Sequence, residues 1–382
     1  MKKVYFDSAA TTQLRSEVIR CMTEVLKTEY GNASSTHSYG RSAKSLLENA
    51  RKEIAGYLNV SAPEIIFTSG GTEADNLILQ SCVNDLGVKR IISSKIEHHA
   101  VLDTILALQG SHDIEVEYVA LDDCGFIDYE NLEKLLKSGE EKTLVSLMHV
   151  NNEIGNILDI DRVGALCKEN NALFHSDTVQ SVGHFDLDFS ETPIDFAAVA
   201  AHKFHGPKGA GFAFVRKNSG LQPLLKGGGQ ERGLRAGTEA VYAIAGMAEA
   251  LKLSYQNLEK ERTYIIDLKN YFKKQLASEF PKVHFNGGCS DDERSTYTLL
   301  NVCLPVSKEQ ALMLLFQLDL KGIACSQGSA CQSGSDKGSH VLEEVLPEAY
   351  RGKPSIRFSF SSFNTKEEVD YVIDVLKEFI EK

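Results

Sequence analysis

The sequence predicts an α/β protein, with a large domain built on a mostly parallel sheet and a smaller α+β domain after it. Three observations predict this. Between about residue 60 and residue 215, short apolar runs alternate with stretches of helical periodicity. The run 143–150 (T-L-V-S-L-M-H-V) is apolar nearly throughout, as in a strand buried on both faces of a parallel sheet. Beyond about residue 260 the pattern shifts to shorter strands and helices. The expected division is 14–258 for the large domain, with 1–13 and 259–382 forming the small one.

Bulk properties exclude several function classes. At 382 residues the chain is long enough for two domains and a large core. The net charge is −12 and no basic run occurs, which argues against nucleic acid or an anionic membrane as partner. No apolar stretch approaches the ~20 residues of a membrane span. The start, Met1 to Asp7, meets an acid too early for a signal peptide. Eight cysteines are scattered with no C-x-x-C pair, so reduced thiols in a cytoplasm are expected.

Taken in order, the chain opens on a short strand and the small polar segment Asp7, Ser8, Ala9, Ala10, Thr11, Thr12, which suits close backbone packing near a site or an ordinary loop. A second polar loop spans 31–37. Leu46, Leu47, Ala50, Ile54 and Leu58 mark one face of an amphipathic helix. Residues 64–69 (E-I-I-F-T-S) read as a strand running into Gly70, Gly71 and Thr72, which open a helix. Strand, glycine turn and helix start suit a phosphate, because free N–H groups and the helix dipole point at the anion. The turn is neither a Walker loop nor G-x-G-x-x-G, and a plain strand-to-helix turn is the alternative. Residues 90–94 form another strand, followed by His98 and His99. Neighbouring histidines point apart and no third ligand lies at metal spacing, so stacking of the His98 ring on a flat cofactor fits better than a metal.

The 143–150 strand ends at Asn151 and Asn152. A helix around Val163, Leu166 and Cys167 precedes a strand over 172–177, which ends on Asp177 with Gln180 three residues on. The next strand runs from Asp195 into Ala200, Ala201, His202 and Lys203 and a glycine-rich turn. A lysine at the buried end of a strand is costly as a cation, and desolvation favours its nucleophilic neutral form. One use is a Schiff base with pyridoxal phosphate; the alternative is a surface lysine. Ligands of open α/β sheets bind beyond the carboxyl ends of the strands. The phosphate turn, His98, Asn152, Asp177 and Lys203 all follow strand ends, which makes five candidates at one sheet edge. The chemistry asks for these types. An acid beside the pyridine nitrogen keeps it protonated, for which Asp177 serves. A donor at the ring oxygen is supplied by Gln180. Lys203 is covalent anchor and proton shuttle.

The stretch 227–238 (G-G-G-Q-E-R-G-L-R-A-G-T) reads as a mobile loop whose arginines and Thr238 can reach a phosphate or an oligomer partner. A long helical region from Glu239, broken near Asn257, leads out of the large domain. In the small domain Cys331 sits among Gly, Ser and Gln, where a thiol is exposed and can ionise. Cys325 reads as a buried strand residue. Arg357, on a strand, needs a counter-ion, and a substrate carboxylate is a natural one. The last helix carries the capping box Thr365-x-x-Glu368 and an apolar face of Val369, Val372, Ile373, Leu376 and Ile380.

The motifs F-T-S-G-G-T-E-A-D-N, E-H-H-A-V-L, H-V-N-N-E-I-G, A-H-K-F-H-G-P-K-G, G-G-G-Q-E-R-G-L-R-A-G-T and G-S-A-C, in this order, cover nearly the whole chain. With them the chain resembles the cysteine desulfurases, the NifS-like members of the class V aminotransferase group. The resemblance implies the aspartate-aminotransferase-like fold type I and pyridoxal 5'-phosphate bound to Lys203. It implies that Gly71, Thr72 and His202 hold the cofactor phosphate, with Thr238 reaching across from the other subunit of a homodimer. Asp177 pairs with the ring nitrogen, Gln180 with the ring oxygen, and His98 stacks and serves catalysis. Asn152 and Arg357 face the carboxylate of L-cysteine, and Cys331 accepts the sulfur as a persulfide. The sulfur then passes to an acceptor such as an iron–sulfur scaffold protein. Ala200 replaces a usual hydroxyl residue at the phosphate, a hydrogen bond worth ~1.5–3 kcal/mol. Ser8, Ala33, Gln327 and Gln332 also depart from the pattern, which bears on acceptor choice and rate. The alternatives are a related lyase acting on selenocysteine and a non-catalytic sulfur-assembly partner. A nicotinamide dehydrogenase lacks its glycine fingerprint here.

Overall fold

Apolar runs of four or five residues, buried on both faces, form the centre of the molecule. The computed structural model describes residues 2–306, 308–328, 338–351 and 353–380, and for 308–312 the backbone only. In chain order the elements are β1 (Val4–Tyr5), α1 (Ser16–Thr28), α2 (Ser38–Tyr57), β2 (Ile65–Thr68), α3 (Gly71–Asn84), β3 (Arg90–Ser93), α4 (His99–Ser111) and β4 (Glu115–Tyr118). Then come α5 (Tyr129–Ser138), β5 (Thr143–Ser146), α6 (Ile160–Glu169), β6 (Leu173–Asp177), β7 (Phe196–Ala200), β8 (Gly211–Val215), α7 (Val241–Gln256) and α8 (Leu258–Glu279). The last are β9 (His284–Phe285), β10 (Leu299–Cys303), α9 (Lys308–Leu320), β11 (Ile323–Ala324), α10 (His340–Val345), β12 (Ser355–Ser359) and α11 (Lys366–Ile380).

The main sheet has the strand order β2-β8-β7-β6-β5-β3-β4. Strands β4, β3, β5, β6 and β7 are parallel to one another, while β8 runs against both β7 and β2. Side chains alternate between faces. Ile65, Phe67, Val145, Phe174 and Val199 pack with α1, α2, α6 and α7, whereas Ile66, Leu144, Phe196 and Ala198 pack with α3 and α4. Both faces are therefore covered, and the ligand edge is left at the strand ends.

The strand expected over 143–150 stops at Ser146. The chain still follows β6, with the Leu147 N–H donating to the His175 carbonyl and the His149 N–H to that of Asp177. It then folds back because Asn151 Oδ1 accepts the N–H groups of Glu153 and Ile154, and Val150 pairs with Ile157.

A second apolar cluster joins α8 and α11 to the antiparallel sheet β12-β10-β9. Phe6, Phe272, Phe358 and Phe360 meet there with ring centroids 5.0–6.4 Å apart. The chain start belongs to this cluster, because β1 pairs in parallel with β11 and Val4 and Phe6 are buried in it. The helix break falls at Asn257, between α7 and α8. At α11 the capping box closes: the Thr365 N–H donates to Glu368 Oε2 and the Glu368 N–H to Thr365 Oγ1.

The 227–238 loop, expected to be mobile, is pinned instead. Glu231 is 5% exposed and takes two hydrogen bonds from Arg51, at 2.6 and 2.7 Å, plus the Phe67 N–H at 2.8 Å. Its backbone is held at φ +45°, a left-handed conformation that costs energy in a non-glycine residue. The loop's arginines turn to carboxylates of the same chain, Arg235 to Glu73 and Arg232 to Glu48. Glu231→Ala leaves the Arg51 charge buried without its main partner. It is expected to destabilise the protein by ~3–5 kcal/mol, read as a large drop in denaturant midpoint; a midpoint equal to wild type would show that the pair does not pin the loop.

Candidate active site

Beyond the carboxyl ends of the parallel strands lies a cleft of about 700 Å³. Gly71 and Thr72 reach it from the turn between β2 and α3, and His98 from the turn between β3 and α4. Asn152 comes after β5, Asp177 and Gln180 after β6, His202 and Lys203 after β7, and Arg357 from β12. The structure thus brings nine of the residues singled out in the sequence to one place. Thr238 is exposed and does not line this cleft. Cys331 lies outside the described residues, between Gly328 and Gly338.

Lys203 closes a single 3-10 turn after β7. Its Nζ donates to the carbonyls of Ala9 and Ala10, at 2.6 and 2.9 Å. The segment 7–12 is therefore a wall of the cleft, stitched down by the Thr12 N–H on the His202 carbonyl. Gln180 Nε2 also donates to the Ala9 carbonyl, at 3.0 Å.

Asp177 is 6% exposed, and its Oδ1 accepts the Val179 N–H at 2.9 Å. Burial raises its carboxyl to about 6, with the Val179 N–H and the Lys203 charge pulling the other way. Such a group is best stabilised by a cation placed against it. His98 caps α4, its Nδ1 accepting the Ala100 N–H at 3.1 Å, so the proton of the neutral ring sits on Nε2. Burial first and Lys203 second lower it to about 4, which leaves a neutral flat ring at the cleft. His202 is likewise lowered to about 4, by burial and then Lys203, and its Nδ1 lies 3.2 Å from Thr11 Oγ1.

The N-terminus of α3 approaches the cleft because residue 71 is glycine. A Cβ there would stand 2.6 Å from Val179 Cγ2, closer than packed carbon atoms come. Ala200 lines the same corner.

Arg357 is 1% exposed. The expected counter-ion was a substrate carboxylate, yet the chain already supplies one: Nη2 pairs with Asp7 Oδ1 at 3.2 Å, and Nη1 donates to the Asn152 carbonyl at 2.7 Å. Nε alone is buried without a partner among the described residues.

An amine, a carboxylate that favours a cation, a flat neutral ring and a helix start surround one space. The set fits pyridoxal phosphate, with Lys203 for its carbonyl carbon, Asp177 for its ring nitrogen and the α3 start with His202 for its phosphate. Three cleft residues had not been singled out, Asp75, Met148 and Val179. For Asp75 a signal existed: with Ile78 and Cys82 it forms an i, i+3, i+7 set, which puts an acid on an apolar helix face.

The sequence profile of the aminotransferase class-V family matches residues 4–372. A cysteine desulfurase IscS of Dictyoglomus turgidum is 39% identical over 100% of this chain and 95% of its own length. One of Methanosarcina thermophila is 39% identical over 100% and 93%. Among solved structures, a NifS-like protein superposes with a TM-score of 0.90 at 35% identity, covering both chains fully. A NifS-like protein from Rickettsia africae gives 0.87 at 32% over both full chains. An SspA solved in complex with cysteine gives 0.80 at 29%, over 95% of this chain and 100% of that one.

Proposed function

The chain belongs to the aminotransferase class-V family, and we propose a division of labour among its cleft residues for the reaction its relatives are named for. It is a pyridoxal-phosphate-dependent cysteine desulfurase, which takes sulfur from L-cysteine and releases L-alanine. When bound, the cofactor supplies an electrophilic carbonyl and a cationic ring that accepts electron density from the substrate Cα.

Lys203 Nζ anchors the cofactor and then moves the proton at the substrate Cα. Asp177 holds the proton on the ring nitrogen, and the ring cation offsets the burial that raises this carboxyl. Gln180 donates to the ring oxygen, and the neutral His98 ring stacks and serves catalysis. Gly71, Thr72 and His202 hold the phosphate. Arg357 and the Asn152 amide face the substrate carboxylate. The Cys331 thiolate takes the sulfur: an S–S bond forms there as the substrate Cβ–S bond breaks, and Cβ takes a proton to leave alanine. The persulfide then goes to an acceptor such as an iron–sulfur scaffold protein.

The observation that carries this reading is the meeting of Lys203, Asp177 and the α3 start in one cleft. Thr238, exposed and away from its own cleft, is free to reach the phosphate of a second copy, which supports a homodimer. Two separate apolar clusters support the division into 14–258 and the remainder. Among the described residues no helix is long and apolar enough to cross a membrane, and the seven described cysteines are free. Free thiols suit the cytoplasm.

The test is product release from L-cysteine and a thiol reductant by purified yellow protein. Alanine and sulfide are expected in equal amounts. Neither product, from protein that holds its cofactor, would remove cysteine as substrate.

A further inference from the structure

Behind the cleft wall runs a polar chain that the reaction as described does not use. Asp75 of α3 is 1% exposed, and His175 of β6 and Ser146 of β5 are fully buried. His175 Nε2 stands 3.3 Å from Asp75 Oδ1, and neither atom has a hydrogen-bond partner among the described residues. His175 Nδ1 lies 2.9 Å from Ser146 Oγ. Asp75 and Asp177 line the same cleft, and His175 and Asp177 share one face of β6.

The two carboxyl groups are built differently. Asp177 Oδ1 accepts a backbone N–H, which favours the ionised carboxylate. Asp75 Oδ1 accepts none and faces an imidazole nitrogen. A carboxylic acid O–H aimed at the Nε2 lone pair satisfies both atoms, and the Nδ1 proton then falls to Ser146 Oγ. We propose that Asp75 is a positioning residue that holds a carboxyl proton against His175, so that Asp177 is the single negative charge facing the ring nitrogen. This rests on the assignment of Asp177 to that nitrogen.

The surroundings agree. From β6 come His175 and Asp177, from the β3–α4 turn Glu97 and His98, from the turn after β7 His202 and Lys203, and from β12 Arg357. Burial, then the charges of Asp177 and Glu97, push the Asp75 carboxyl well up. Burial lowers His175 to about 3, which keeps its ring neutral and able to accept. Two ionised carboxylates in one buried wall repel, so one of them keeps its proton.

Infrared spectroscopy of wild-type protein carrying 13C in its aspartate carboxyls tests this without substrate, in cofactor-free and loaded forms. A protonated-carboxyl band near neutral pH is expected to move to lower wavenumber on labelling. Glu97, raised to about 8 chiefly by burial, is unlabelled and stays put. The labelled band is expected to vanish in Asp75→Asn. In that variant the pH midpoint of the loaded protein's visible absorbance is expected to match wild type, because a neutral amide replaces a neutral acid. Absence of a label-sensitive band, or its survival in the variant, overturns the proposal. So does a midpoint displaced by about one unit or more, the order of shift that a lost charge produces. Loss of desulfurase activity alone would bear on the reaction assignment and leave the infrared result standing.

Discussion

Lys203→Ala is expected to lower alanine and sulfide formation by ~10³-fold or more, the upper range for a positioned proton-transfer group. It also removes the covalent link to the cofactor. Lys203 projects from a buried turn and is oriented by the Ala9 and Ala10 carbonyls. Among the described residues the one other lysine or arginine that lines the cleft is Arg357, whose guanidinium is engaged by Asp7 and Asn152. Borohydride reduction of loaded wild-type protein is expected to fix the cofactor on the peptide containing Lys203. The variant is expected to bind the cofactor through Asp177 and the α3 start, yet lose it on denaturation after the same treatment. A reduced adduct in the variant, or near-wild-type turnover, would remove Lys203 from its role.

Cys331→Ala separates the two halves of the reaction. Cofactor absorbance and the Lys203 adduct are expected to persist, while steady product release falls by ~10²-fold or more. Among the described residues no cysteine lines the cleft. Cys325, six residues earlier, is held protonated, with burial and then the Asp7 charge pushing it up to about 12. Cys82 and Cys167 are raised by burial as well. Mass spectrometry after one turnover is expected to find one added sulfur on wild-type protein at Cys331 and none on the variant. Wild-type rates of alanine release without Cys331 would show that sulfur leaves by another route.

Much of the site was legible because strand burial and turn chemistry are local. Residues 64–69, 90–94, 172–177 and 195–203 announce strands by composition, and their polar ends announce the cleft edge. The fold departs from the reading where long-range contacts decide. Arg357 meets Asp7, 350 positions away. Lys203 meets Ala9, 194 positions away. The glycine-rich look of 227–238 suggested freedom, but one buried carboxylate, Glu231, overrides composition by pairing with Arg51 of α2. Strand β8 breaks the parallel order, because a return after the Lys203 turn brings Gly211–Val215 back against β7. Asp75 escaped notice since its significance depends on His175, which reads as an ordinary strand residue.

The cleft wall at 7–12, with β1 before it, has a consequence for how the protein is made. This segment leaves the ribosome well before part of what holds it, since synthesis is vectorial. Its bonding partners leave late: Ile323 and Ala324 for β1, and Ser359 for the Phe6 carbonyl and the Ala9 N–H. Until those residues emerge, β1 and the Ala9 N–H wait unpaired, and the Ala9 and Ala10 carbonyls that aim the Lys203 amine are only partly held in place. Cofactor capture in its final geometry therefore waits on strands β11 and β12, which are made last among the partners of this wall.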